Sequence, residues 1–260
     1  MGLHRQVVVA PLYAPAVSTD PESAGSPRER TTRESQYEVV LTQADANGSQ
    51  PLGLMSGYAF EDDPKRLTFT FSRYKFVAKM LSDTANVLEV GCGDGLASRI
   101  VRQEVGRLVA IDFDPLFIEN AVSISSKKWD IDFRVHDFLD DGPLDEIFEG
   151  VFCLDVFEHI DVRDEGAFLA NVTDVLSHDG VFIVGMPSLA SQSHASVQSR
   201  AGHVNCKDGP ELKSTLERYF SNVFVFSMND EVVHTGFFPM AQYLFAVCCG
   251  PKGHDVRSES

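Results

Sequence analysis

The stretch VLEVGCGDG, Val87 to Gly95, decides the fold. Val87, Leu88 and Val90 form an apolar run of strand length broken only by Glu89, and glycine then takes positions 91, 93 and 95. A buried strand that gives way to glycine lets backbone approach a ligand with no Cβ in between. A helix after such a loop offers unpaired N–H groups and the positive end of its dipole. The loop is therefore expected to receive an anionic group, a phosphate or a carboxylate. The spacing separates it from two other glycine loops. A dinucleotide fingerprint needs G-x-G-x-x-G, whereas the glycines here alternate, and a P-loop needs Lys-Ser/Thr where this chain has Leu96-Ala97.

Outward from this stretch, apolar runs alternate with amphipathic segments. Strands are expected at 86–91, 107–112, 130–137, 150–155 and 181–186. Helices are expected at 95–104, at 115–127 with proline in the first turn, and at 163–177 with Gly180 as the C-terminal stop. Upstream, Phe71, Tyr74, Val77, Ala78 and Leu81 recur every three to four residues and predict a helix over 71–81. Repeated β-α-β units with apolar strands imply a Rossmann-like, doubly wound α/β fold, a largely parallel sheet covered by helices on both faces. After Met186 comes a polar connection, then a helix at 210–219 and strands at 223–227 and 242–248, which predict an antiparallel edge.

The division expected from composition is an arm at 1–34, disordered or loosely held because it is rich in Ser, Thr, Pro and charge, followed by one domain at 35–250 and a tail at 251–260. Within that domain, 65–187 forms the ligand-binding core and 188–250 the substrate loop and last strands. Turn signals at Asn47-Gly48 and Asp63-Pro64 mark 35–64 as a segment that folds over the mouth of a site.

The 260 residues carry a formal charge of −16, which removes the cationic footprint that nucleic acid or an anionic membrane requires. Five cysteines, with no CxxC pair and with Cys248 and Cys249 adjacent, point to buried thiols in a reducing compartment. No transmembrane run or targeting layout is visible, so the cytoplasm is expected.

Three acids follow the glycines in register with the strands. RLVAID ends at Asp112, FRVHDF carries Asp137, and FCLDVFEHI carries Asp155, Glu158 and His159. An acid one β-α-β unit after a glycine loop is placed to accept from both ribose hydroxyls. With these motifs in this order, the chain resembles the class I S-adenosylmethionine-dependent methyltransferases from about Arg73 to Met186. It is most similar to the small-molecule branch that includes ubiquinone-biosynthesis and sugar or antibiotic O-methyltransferases. The resemblance implies seven strands with an antiparallel last strand, and S-adenosyl-L-methionine as cofactor. It also implies site roles. Glu89, Gly91, Cys92, Gly93 and Gly95 would line the methionine and ribose portion. Asp112 would hold the ribose hydroxyls and Phe113 would lie against the adenine. Asp137 would accept from the adenine amino group with Phe138 alongside, and Asp155 would close the floor under the sulfonium. Arg73, in SRYKF, matches an arginine near the cofactor carboxylate in some relatives.

A hydroxyl acceptor usually needs a base. His203, in the segment after the fifth strand, is the first candidate and His159 the second; His159 serves equally well as an orienting group, and His194 reads as a surface residue. Glu158 reads as a capable base or metal ligand, but no second acid-histidine cluster supports a metal. The expected reaction is O-methylation of a sugar or secondary metabolite. The alternatives are a small-molecule N-methyltransferase and a non-catalytic methyltransferase-like partner subunit. The expected partner is a small-molecule acceptor, with neither nucleic acid nor membrane, and a homodimer is admitted.

Overall fold

The computed structural model describes residues 31–253. The expected arm therefore falls almost wholly outside the described residues, as does most of the tail. The chain divides into two compact units between Gln50 and Pro51. In the first, the described residues hold a 3-10 turn (Ser35–Tyr37) and one α-helix, α1 (Glu38–Asn47), closed by Gly48 at φ 71, where the Asn47-Gly48 signal put a turn.

The second unit carries the glycine loop. It opens with α2 (Leu54–Asp62) and α3 (Lys65–Met80), separated at Asp63-Pro64, and continues as β1 (Asn86–Val90), α4 (Ser98–Arg102), β2 (Arg107–Asp112), α5 (Pro115–Ser123), β3 (Asp132–Val135) and β4 (Phe148–Leu154). Then come α6 (Glu165–Val175), β5 (Leu176–Pro187), α7 (Val197–Gly202), α8 (Gly209–Leu216), β6 (Phe220–Asn229), β7 (Val232–His234) and β8 (Tyr243–Pro251). One eight-stranded sheet results, in the order β3-β2-β1-β4-β5-β8-β6-β7. β1 to β5 pair in parallel, and β8 runs antiparallel to both neighbours. The chain winds outward from β1 to β3, then restarts on the other side of β1 with β4. This reversal opens a crevice at the carboxyl ends of β1 and β4, where open α/β sheets bind ligands.

Alternating side chains divide the strands between two cores. Val87, Leu108, Ala110, Phe152 and Ile183 pack with Tyr74, Val77 and Ala78 of α3, Val101 of α4 and Ile118 of α5. Leu88, Val109, Val151, Phe182 and Val184 pack on the other face with Phe168, Leu169 and Val172 of α6 and Leu212 and Leu216 of α8.

The last strands form the expected antiparallel edge, with β8 inserted between β5 and β6, as its buried run from Tyr243 to Ala246 requires. Three expectations are corrected. The sheet has eight strands, not seven, because the short β7 adds a hairpin partner to β6. The helix after the glycine loop begins at Ser98 rather than Gly95 and is only five residues long. Left-handed backbone at Gly93 and Gly95, φ 54 and 65, delays it. Finally, Gly180 does not cap α6, which ends at Val175 and passes directly into β5. A Cβ at Gly180 would lie 2.6 Å from Leu176 Cγ and 2.9 Å from the Ser177 carbonyl, so close packing at the start of β5 demands the glycine.

Phe182, fully buried in the middle of β5, stacks on Phe220 with ring centroids 5.7 Å apart. Phe182→Ala should cost about 3–5 kcal/mol of stability, read from urea unfolding midpoints; a loss under about 1 kcal/mol would mean the core closes over the gap.

Candidate active site

A cavity of about 810 Å³ occupies the crevice. Its floor is the break after β1. Gly91 turns left-handed at φ 79, at a point where a Cβ would strike Val156 Cγ2 beyond β4. Two steps on, Gly93 at φ 54 lies against Met55 of α2, whose sulfur would be 2.7 Å from an added Cβ. Five of the loop's N–H groups are bonded within the protein rather than left open to an anion, contrary to the expectation from its glycines. Gly91 and Cys92 both donate to the Ile111 carbonyl, Gly93 to Asp112 Oδ2 at 2.9 Å, Gly95 to the Cys92 carbonyl and Leu96 to Asp94 Oδ1. The cavity wall is acidic. Asp94, Asp112, Asp137, Asp155, Asp161 and Asp164 line it and, among the described residues, no lysine or arginine does. Such a wall repels phosphates and favours a cationic ligand.

Most of the anticipated residues converge here. Gly91, Cys92, Gly93, Asp112, Phe113, Asp137, Phe138, Asp155 and His159 all line the cavity. Asp112 is buried at the end of β2, where its two oxygens accept from Gly93 N and from Asp114 N at 3.0 Å. Each oxygen keeps a second lone pair for a ligand. Asp137 folds back on its own turn, accepting from Leu139 N and Asp140 N. Phe113 is 71% exposed at the rim, whereas Phe138 is buried against Phe168, with centroids 5.5 Å apart. Cys92 is buried, and burial pushes its thiol pKa up.

Arg73, Glu89, Gly95 and His203 stand outside the lining. Arg73 Nη1 binds both oxygens of Asp155, at 2.7 and 3.0 Å, with its guanidinium 3.9 Å above the Tyr243 ring. It thereby steadies Asp155, whose φ of 56 is an uncommon conformation for a residue with a side chain. Glu89 lies beneath the loop and accepts from Tyr74 Oη at 2.6 Å. Burial raises its pKa to about 7, against the hydroxyls of Ser98 and Tyr74, which lower it. Gly95 packs on Phe133 and Ala121.

The two histidines meet at the far wall, with ring centroids 5.1 Å apart. His159 lines the cavity, and His203, the first candidate from the sequence, does not. Burial, and then His159, lower the His203 pKa, with Asp155 opposing. The segment carrying His203 is not a bare connection. It holds a 3-10 turn (Leu189–His194) and α7, with Ser196 capping α7 through Ser199 N. His194 is exposed, as expected.

Part of the segment 35–64, expected to fold over the mouth, forms the wall as α2. Asp94 accepts from Ser56 N at 2.7 Å and from Ser56 Oγ at 3.0 Å, and Asn120 Oδ1 accepts from Leu54 N at 2.8 Å, so α2 is tied across the glycine loop. The only sequence trace was the turn signal at Asp63-Pro64 and the expectation that 35–64 folds over the mouth. Met55, Ser56 and Ala59 fulfil it for α2.

Strand order and the cavity at the switch point define a Rossmann-like doubly wound fold. Residues 87–180 match the family model described as a methyltransferase domain. A probable S-adenosylmethionine-dependent methyltransferase of Mycolicibacterium smegmatis is 27% identical over 124 residues, which are 46% of this chain and 46% of that protein; the chain thus spans about half the length of that curated relative. Among solved structures, the N-methyltransferase NodS of Bradyrhizobium japonicum, in complex with S-adenosyl-L-homocysteine, aligns with a TM-score of 0.55 at 18% identity over 84% of this chain and 100% of its own. An S-adenosylmethionine-dependent methyltransferase of Clostridium acetobutylicum aligns at 0.56 and 11% identity, over 83% and 99%. At these identities the structures share the fold.

The state of Glu89 makes stability pH-dependent. Between the unfolded-state value of 4.5 and about 7, the folded protein holds a proton that the unfolded chain has lost. This contribution is fully present below the lower value and lost as pH rises through the upper, a change on the order of 3 kcal/mol. Glu89→Gln should flatten the fall in urea midpoint between pH 5 and pH 8. It should not abolish it, because buried Glu158, also raised, contributes with the same sign. Equal slopes in the two proteins would place the proton elsewhere.

Proposed function

We propose that this chain is an S-adenosylmethionine-dependent methyltransferase that methylates a hydroxyl of a small molecule. The observation that carries this reading is a cavity walled by carboxylates without a countering lysine or arginine, running from the glycine loop to His159. A sulfonium and an ammonium group suit that wall, and the pyrophosphate of a nicotinamide dinucleotide does not. When bound, S-adenosylmethionine supplies a methyl group on sulfur, whose transfer breaks the C–S bond, forms the C–O bond and leaves a neutral thioether.

The chain's own residues do the rest. The free lone pairs of Asp112 take the ribose hydroxyls. Asp137 takes the adenine amino group, and Phe113 covers the base from the rim. Asp155, clamped by Arg73, holds the floor at the reacting end. The acceptor hydroxyl is placed at His159, where the His159–His203 pair orients it and its proton passes to water as the methyl is transferred. α2 excludes water from the loop side. Five free thiols, among them the buried Cys92, Cys153 and Cys248, favour a reducing compartment such as the cytoplasm.

Calorimetric titration tests the cofactor: S-adenosylmethionine and S-adenosylhomocysteine should bind and NAD should not. Asp112→Ala removes a charge-assisted pair of hydrogen bonds and should weaken cofactor binding roughly tenfold or more. Unchanged affinity in a folded variant would take the ribose away from Asp112. His159→Ala and His203→Ala should lower turnover about 10²–10⁴-fold with cofactor affinity nearly intact. Turnover itself is read by mass spectrometry as the gain of one methyl across sugar, phenol and amine panels. Exclusive methylation of amines would overturn the hydroxyl acceptor.

A further inference from the structure

Glu158 is fully buried, and neither of its carboxylate oxygens has a hydrogen-bond partner. Groups of this kind are rare and expensive unless something answers them. One Glu158 oxygen and one ring nitrogen from each of His159 and His203 lie within 4.8 Å of one another. Both imidazoles are already oriented. Nδ1 of His159 meets the Gly202 carbonyl at 2.9 Å, and Nδ1 of His203 meets Gln192 Oε1 at 2.8 Å. The Gln192 amide nitrogen is turned toward the Ser188 carbonyl and Ser191 Oγ, which fixes its oxygen toward His203. A carbonyl oxygen only accepts, so each Nδ1 carries the proton and each Nε2 an open lone pair. Imidazoles anchored this way through one nitrogen are the usual form of metal-ligating histidine.

The grouping is held from behind. The Glu158 carbonyl accepts from both Val204 N and Asn205 N at 2.9 Å, which ties the turn bearing Glu158 and His159 to the segment bearing His203. Buried Lys207 fixes that segment in turn, 2.8 Å from Glu165 and 2.9 Å from Asn205 Oδ1. Asp155 stays with Arg73 and is not part of the set.

We propose that Glu158, His159 and His203 form a divalent-cation site opening on the cavity, and that the cation takes the acceptor's hydroxyl oxygen as a further ligand; the second half rests on the methyltransferase reading above. Two imidazoles and a carboxylate suit Zn²⁺, Co²⁺, Fe²⁺ or Mn²⁺ better than Mg²⁺ or Ca²⁺, and three protein ligands leave positions for water and substrate. Ligands about 2.0–2.2 Å from an ion lie up to about 4.4 Å apart, so a small inward shift of the three side chains completes the set. On the cation, the hydroxyl gives its proton to water and its oxygen is held as the nucleophile.

The full chain, stripped with a chelator, is titrated with Co²⁺ and separately with Mn²⁺. One equivalent should bind with micromolar or tighter affinity, and bound Co²⁺ should show the visible absorption bands of nitrogen and oxygen ligation. Glu158→Gln and His203→Ala should each weaken binding at least about tenfold. S-adenosylhomocysteine titrated into the same preparations reports the fold and the cofactor site, and should bind wild type and variants alike. If Glu158→Gln does not fold, His159→Ala, at an exposed residue, takes its place. Failure of both ions to bind up to about 1 mM, or binding that the variants leave intact, overturns the site. S-adenosylhomocysteine binding without metal uptake removes the cation and keeps the methyltransferase reading. Metal uptake without S-adenosylhomocysteine binding keeps the site and removes that reading.

Discussion

At Gly91 the backbone of β1 leaves the sheet in a left-handed turn, at a place where any side chain would run into Val156 beyond the end of β4. That single close approach brings the ends of the two central strands together at the point where the strand order reverses. Other features of the site follow from it. Because the loop after β1 is short and left-handed, Gly93 N reaches Asp112 at the end of β2, and the acid that faces the ligand also staples the loop. Because β4 ends beside it, Asp155 enters the same space, and its strained backbone is steadied by Arg73 from α3. A glycine at 91 thus places groups from three strands and a helix around one cavity.

Charge supplies the second constraint. Six aspartates line the cavity wall, and the nearby arginine is spent on Asp155. Five backbone N–H groups of the kind a phosphate loop would leave open are closed here on Ile111, Asp112, Cys92 and Asp94. Two loops rich in glycine can therefore select ligands of opposite charge, and the difference lies in where the amides point rather than in the number of glycines.

The strands next to the loop were legible because they are continuous apolar runs with an acid at the exit: β2 has the expected limits, and Asp112, Asp137 and Asp155 all reach the cavity. Long-range geometry was not legible. Asp94 reads as a loop residue until α2 folds over and presents Ser56, 38 positions away. Glu89 reads as a ligand contact, but the strand's alternation turns it beneath the loop onto Tyr74. Gly180 has the composition of a helix stop, and only the packing of Leu176 reveals another reason for it. His203, His159 and Glu158 were each visible in the sequence, but their grouping was not, because the Glu158 carbonyl that ties their segments together belongs to the backbone and leaves no mark in the sequence.

The tether between α2 and the glycine loop has a kinetic consequence. α2 contributes no buried side chain, and its hold on the sheet runs through hydrogen bonds from Ser56 to Asp94 and from Leu54 to Asn120. A helix held this way lies near the low end of the local-stability range and lifts without disturbing the strands. With Met55 lying over Gly93, a molecule seated against the loop is enclosed until the helix lifts. Passage into and out of the cavity is then timed by two side-chain latches, and a change at Asn120, remote from any reacting atom, alters residence time before it alters chemistry.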